Sequence, residues 1–435
     1  MIESKKTGFA KNVFFSYSNK MITLVVSFIY TLLIANFLGP EKYGLVTYFM
    51  ALISGLVGAV GFNFLISTLS NFFPKTKSKK LFKLVLGITV FLSVASFLVL
   101  LIFAQQILSM LGKDNLLLMQ LSSALILLLP LYSLATALFQ GFKRFGSVLK
   151  VVAIESTINL IFAVLAVIYL GFDFYGVLFA KIISLVIALI VFLIYYRKLV
   201  FSRIPIDKKD LARYISTAFP FSLVRGWEEQ AFTIMLGLFI SNISLGFYYM
   251  AQKLASIAIS TPINSLSNVL LPYSLEKSKD IKTLSNYASI NIKLALILSV
   301  FLSIILLILG WPFLLILFPE YLASYWLLPF LCVTFILSSL TILHNVYTSV
   351  NRLEFPAIAG VFSIIATIAS GWFLMPAYGI YGAVTAQIIM ALVYFFLLWK
   401  FLEKIKVKVE IIPRMKDIAY FYSLFRQQLI KKFIK

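Results

Sequence analysis

Eight ionisable side chains lie inside otherwise apolar stretches of this chain: Lys20, Glu155, Lys181, Arg225, Glu228, Glu229, Lys253 and Lys293. A charge at the centre of a bilayer costs about 2.5–3.5 kcal/mol on insertion scales, so each needs a counter-charge, a wet cavity or a route to the interface. Arg225, Glu228 and Glu229 are spaced by three and four residues, which puts both carboxylates on the helix face beside the guanidinium. Such a cluster either neutralises itself and only holds its helix in a bundle, or forms the polar wall of a water-filled cavity. Arginine suits forked contacts to phosphate and lysine a point-charge contact, so Lys20, Arg225 and Lys253 are candidates for holding an anionic headgroup. Lys253 could equally pair with Glu229. The carboxylates Glu155, Glu228 and Glu229 are candidates for coupling to a proton or sodium ion, with Lys181 or Lys150 as the alternative, structural partner of Glu155. Lys293, near the start of its apolar stretch, can snorkel, and Lys181 can reach the opposite interface. His344 and Asn345 read as hydrogen-bonding groups of the packing. With one histidine and one cysteine, Cys332, there is no material for a disulfide, a thiolate metal site or a zinc centre, and no metal or cofactor is expected.

The elements that must carry these residues follow from composition. The 435 residues are 61% hydrophobic and only 12% charged, a balance no ordinary water-soluble globule has. Apolar windows fall at 13–38, 44–68, 81–104, 116–139, 148–171, 174–196, 214–240, 246–274, 287–310, 324–349, 355–375 and 379–400. Each is long enough to cross a bilayer as helix, and alternating ten-residue segments of the outer-membrane barrel kind are absent. The net charge of +22 would suggest nucleic acid in a soluble protein, but here its placement decides. Leaving aside Lys20, Lys181, Arg225, Lys253 and Lys293, 31 basic residues fall on the side of the two termini and the even-numbered loops, against Lys42 and Lys113 on the other. By the positive-inside rule both termini are cytoplasmic, and no nucleic-acid partner is expected. The opposite loops reach at most about 14 residues, too short for the catalytic groups of a membrane glycan polymerase or ligase, so an enzyme is the weakest reading.

The halves repeat. Tyr175-Gly-Val-Leu-Phe-Ala-Lys-Ile-Ile183 and Tyr381-Gly-Ala-Val-Thr-Ala-Gln-Ile-Ile389 match at five of nine positions with an offset of 206, and similar offsets pair Gly44 with Gly246 and Arg144 with Arg352. The expectation is an all-α membrane protein of about twelve transmembrane helices in two pseudo-two-fold-related six-helix lobes around a central cavity. The lobes would be 1–198 and 214–403, joined by a basic cytoplasmic linker at 199–213, with a basic tail at 404–435. That alignment sets Asn19 opposite Arg225 and Lys20 opposite Gly226, so cations of two related helices would face one cavity. Gly39-Pro40 reads as a tight hairpin, and Gly55, Gly58 and Gly61 as a surface for close helix approach. After Pro413, Ile418, Phe421, Tyr422, Phe425, Leu429 and Phe433 recur at helical spacing among basic residues, the pattern of an amphipathic helix on an anionic leaflet.

Asn36-Phe-Leu-Gly-Pro-Glu-Lys-Tyr-Gly44, Phe139-Gln-Gly-Phe-Lys-Arg-Phe145 and the Tyr-Gly-x3-Ala openings of the sixth and twelfth windows resemble the polysaccharide-transporter branch of the multidrug/oligosaccharidyl-lipid/polysaccharide exporter superfamily. The resemblance covers about 390 residues and stops near Lys404. It implies a flippase of the cell (inner) membrane that carries an isoprenoid-(pyro)phosphate-linked oligosaccharide to the outer leaflet by alternating access. It further implies membrane lipids and other glycan-assembly proteins as partners. Drug antiporters of the superfamily often carry an acidic residue in the first span. This first span has none, which lowers the rival reading, a proton- or sodium-coupled multidrug exporter.

Overall fold

Hydrocarbon offers backbone amides and carbonyls no water, so a spanning segment must satisfy them within itself. Accordingly the described parts of all twelve windows are helical in the computed structural model apart from short breaks and ends such as Val60-Gly61 and Leu170-Gly171, and the described residues contain no β-strand. The structure describes residues 2–142, 144–197, 199, 201, 208–264, 267, 280–350 and 352–412; side chains are described from Ile22 onward, apart from Asn71, Lys75, Lys208, Asp210, Arg213 and Thr217. The amphipathic segment expected after Pro413 lies outside these residues.

Among the described residues, nine helical segments are long and apolar enough to cross a bilayer, and the first, Ile22–Ala59, holds two spans back to back. Gly39 divides them with φ 69° and ψ 172°, a backbone region only glycine adopts without strain, and Pro40 starts the return. The hairpin expected at Gly39-Pro40 is therefore present. The second span bends again at Gly61, φ 98°, before continuing as Phe62–Thr76. The seventh window lies on Lys208–Phe239, a helix of ample length whose Arg225, Glu228 and Glu229 interrupt its apolar run. The eighth begins as Asn242–Ala255, widens into a π-helical turn at Ser256–Ser260 and remains helical to 264.

The chain forms two compact units, 1–249 and 250–435. In the first, the seventh span runs antiparallel along the second, so positions advance in opposite directions: Tyr48 meets Gly237, Gly55 meets Gln230, Gly58 meets Gly226 and Gly61 meets Leu223. Gly44 and Gly246, equivalent in the sequence repeat, also meet backbone to backbone, the arrangement a two-fold relation produces near its axis. The glycines expected to permit close approach do so at Gly55 and Gly58. In the second unit, Glu354–Tyr378 and Ile380–Phe401 form a packed hairpin, and Tyr347 donates its hydroxyl proton to the Leu398 carbonyl within a core that includes Leu284, Ile292 and Leu343.

The two basic residues on the sparsely charged side both have structural roles. Lys42 pairs with Asp173 at 2.5 Å, tying the first hairpin to the start of the sixth span. Lys113 donates to the Ile240 carbonyl at 3.1 Å and to Asn242 Oδ1 at 2.8 Å. Burial there pushes the ammonium pKa below its usual value.

Candidate functional site

The middle of the seventh span is shaped by its contact with the second. Gly226 lies flat on Gly58, so the neighbouring side chains are forced to the flanks of the helix pair. Glu228 points inward and is 3% exposed, whereas Glu229, one residue on and about 100° around the helix, is exposed. Arg225 Nη1 donates to Glu228 Oε2, an i,i+3 pair, and the arginine side chain keeps 41% of its surface exposed. Of the two carboxylates expected beside the guanidinium, the buried one takes it. A guanidinium carries five N–H donors in a fixed fork and can serve more than one acceptor.

Glu155 lies on Phe145–Val164 and is 6% exposed. It accepts a hydrogen bond from Lys181 Nζ at 2.7 Å and another from Ser184 Oγ at 3.2 Å, both on Asp173–Tyr196. Of the alternatives the sequence left open, Lys181 is the partner. It turns inward to this carboxylate instead of reaching for an interface. Tyr30 and Tyr132 lie within electrostatic reach of the same carboxylate, so spans one, four, five and six all contribute to its surroundings.

Lys20 is on the helix Ile2–Ala59, but its side chain, like that of Asn19, lies outside the described residues. Lys253 occupies the last turn of Asn242–Ala255, half-buried, in the second unit. Lys293 is 5% exposed and donates to Glu410 Oε2 at 3.0 Å; the snorkelling expected for it is replaced by a counter-ion brought in from the far end of the chain. Asn345 donates to the Ser267 carbonyl and hydroxyl, and His344 Nε2 lies 3.3 Å from Thr348 Oγ1, so both serve the packing as expected.

Sequence reasoning passed over Tyr48, Gln230 and Tyr249. Their buried Tyr48 and Tyr249 hydroxyls and the Gln230 amide have no protein hydrogen-bond partner among the described residues, and Tyr48 and Gln230 face the glycines of the seam. The available signal was a glutamine directly after Glu228-Glu229 in an apolar window. Among the described residues no group of three histidine, cysteine or carboxylate side chains could hold a metal.

No protein of curated function matches the sequence. Among solved structures, the chain is similar to a lipid II flippase MurJ in an inward closed conformation, with a TM-score of 0.72 at 15% identity over 94% of this chain and 89% of that one. It is also similar to an inward-facing multidrug resistance MATE family transporter, with a TM-score of 0.67 at 13% identity over 88% and 95% of the two chains. A third, an outward-facing multidrug resistance MATE family transporter, gives a TM-score of 0.64 at 13% identity over 92% and 97%. These likenesses establish that the chain has the fold these structures share. Residues 9–278, more than half of the chain, match the family model described as polysaccharide biosynthesis protein, and the chain belongs to that family of multi-pass membrane proteins.

Proposed function

We propose that the protein is a flippase that moves an isoprenoid-(pyro)phosphate-linked oligosaccharide from the cytoplasmic to the outer leaflet by alternating access between six-helix lobes at 1–198 and 214–403. The observation that carries this reading is Arg225: an arginine side chain with 41% of its surface exposed, paired with a buried carboxylate, deep in the seventh span of a fold shared with a lipid II flippase. A lipid-linked sugar diphosphate needs cations in a cavity otherwise hostile to charge, and Lys20, Arg225 and Lys253 would supply them. Glu228 keeps the guanidinium aimed and lowers the cost of burying it. Glu229 and Glu155 are the remaining sites for proton or sodium coupling, and coupling through Glu155 would have to break its pair with Lys181.

The test is translocation of a fluorescent isoprenyl-diphosphate glycan by protein in vesicles. Lys20→Ala and the double variant Arg225→Ala/Glu228→Gln, which leaves no carboxylate buried alone, should reduce flipping to background with the amount of inserted protein unchanged. Lys20→Arg should be tolerated better than Lys20→Glu. Normal flipping by both loss-of-cation variants removes these residues from the headgroup site. Gradient-driven efflux of amphipathic cations without any glycan movement would favour the multidrug-exporter reading, which the MATE likenesses keep in view.

The same reading places the protein in the cell membrane with both termini cytoplasmic. With Cys332, already buried, replaced by serine, a cysteine at exposed Asp114 should react with an impermeant maleimide from outside whole cells, and one at Lys282 should react only after lysis. The opposite pattern inverts the topology.

A further inference from the structure

The helix Ile281–Leu317 has 37 residues, so at 1.5 Å per residue it is about 55 Å long, nearly twice the hydrocarbon thickness of about 30 Å. Its stretch free of charged residues runs from 294 to 317, which leaves 281–293 at headgroup level and beyond. The chain returns to this projecting part after the last span. Lys408 donates its backbone N–H to Ser285 Oγ at 3.2 Å, Glu410 donates its own to Ser289 Oγ at 3.0 Å, and the Glu410 carboxylate accepts from Lys293. Ser285, Ser289 and Lys293 are four residues apart and form one stripe of the helix, while the strap alternates with period two. Ile405, Val407, Val409 and Ile411 pack on the apolar core; Lys406, Lys408 and Glu410 face the other way.

Between strap and helix is a cavity of about 880 Å³ lined by Lys282, Asn286, Lys293, Lys406, Lys408 and Glu410. Among the described residues that line it, four lysines stand against one carboxylate, and Lys293, the deepest, is 5% exposed at the edge of the apolar stretch. The helix N-terminus is not part of this surplus. Asp280 caps it through the Thr283 hydroxyl and the Thr283 and Lys282 amides, which hold its carboxyl below the usual carboxylate range. A net positive cavity with a desolvated ammonium at its base, at the depth where lipid phosphates lie, calls for a phosphate anion.

We propose that this cavity binds the phosphate headgroup of an anionic membrane lipid, with Lys293, Lys406 and Lys408 as its cationic wall and Glu410 as an internal anion that competes with the ligand for Lys293. The site is separate from whatever the protein transports, and its occupancy would be set by the lipid composition of one leaflet.

The experiment titrates short-chain phosphatidylglycerol onto the full chain in neutral maltoside micelles and follows binding by thermophoresis, with short-chain phosphatidylcholine, inorganic phosphate and farnesyl diphosphate as parallel ligands. Phosphatidylglycerol should bind and phosphatidylcholine should not. Lys406→Gln/Lys408→Gln should weaken binding about 30-fold, at roughly a factor of five per surface lysine. Glu410→Gln, which removes the competing anion, should tighten it, a gain that a purely structural strap would not give. These variants leave the buried Lys293 in place, and their unfolding temperatures report whether the strap still folds. Equal affinity of wild type and the double-glutamine variant would overturn the proposal. Tighter binding of inorganic phosphate would assign the cavity to a soluble anion, and tighter binding of farnesyl diphosphate to the transported headgroup; either result overturns the lipid assignment.

Discussion

Replacing Lys181 with alanine is expected to lower the stability of the folded protein by about 3–5 kcal/mol, the range found when one partner of a buried ion pair is removed. Glu155 would then be a carboxylate with 6% of its surface exposed and only the Ser184 and Ser156 hydroxyls to hold it. Glu155→Gln should cost less, because the partly exposed Lys181 can move its ammonium toward water while the amide still accepts from Ser184. The doubly apolar variant Glu155→Leu/Lys181→Met should recover most of the loss, since it removes both desolvation penalties at once. Unfolding temperatures in detergent of the wild type and the three variants read these differences. A Lys181→Ala protein that melts with the wild type would show that the pair does not hold spans five and six together. The doubly apolar variant also tests coupling: if it still transports with unchanged dependence on the proton and sodium gradients, Glu155 is not the coupling residue.

Gly226→Leu should abolish accumulation of folded protein in the membrane, and Gly226→Ala should cost about 1–3 kcal/mol or more. A Cβ at this position would overlap the backbone carbon and oxygen of Gly58 and the nitrogen of Ala59. Backbone cannot swing aside as a long side chain can, so the helices must part along their length. Gly87 in Lys79–Ile102 is the control: a Cβ there meets nothing within 4 Å, and alanine should stabilise the helix by about 0.5–1 kcal/mol. The comparison is read from unfolding temperature and from membrane yield. If Gly226→Ala and Gly87→Ala behave alike, the seam is looser than its geometry implies.

The spans were legible because hydrocarbon enforces both length and helicity, and the Gly39-Pro40 hairpin because few residue pairs suit such a turn. Local spacing predicted that Arg225 would meet a carboxylate but not which one. Glu228 and Glu229 are equivalent in sequence, and only the burial imposed by the Gly58–Gly226 contact distinguishes them. The glycine spacing of span two announced a close neighbour without naming it. Long-range pairs left no trace: Lys293 with Glu410, Lys113 with Asn242 and Lys42 with Asp173 join residues more than a hundred positions apart, and nothing local marks either partner. Lys293 illustrates the limit. Its place near a span end suggested an escape to water, because a counter-ion from a distant strap cannot be read from the residues around it.

Parting the second and seventh spans opens a gap that lipid tails or water must fill. Acyl chains offer nothing to the Tyr48 hydroxyl or the Gln230 amide, which have no protein hydrogen-bond partner among the described residues while the helices are together. Each such buried group costs about 1–3 kcal/mol, and entering water would recover that cost while offsetting part of the dispersion attraction that the separating backbones give up. The shut seam therefore leaves these groups without a protein partner among the described residues, and water entering an open seam would satisfy them. Its tendency to open depends on whether water can reach it, so a mutation that dries the surroundings, without touching either helix, should hold it closed.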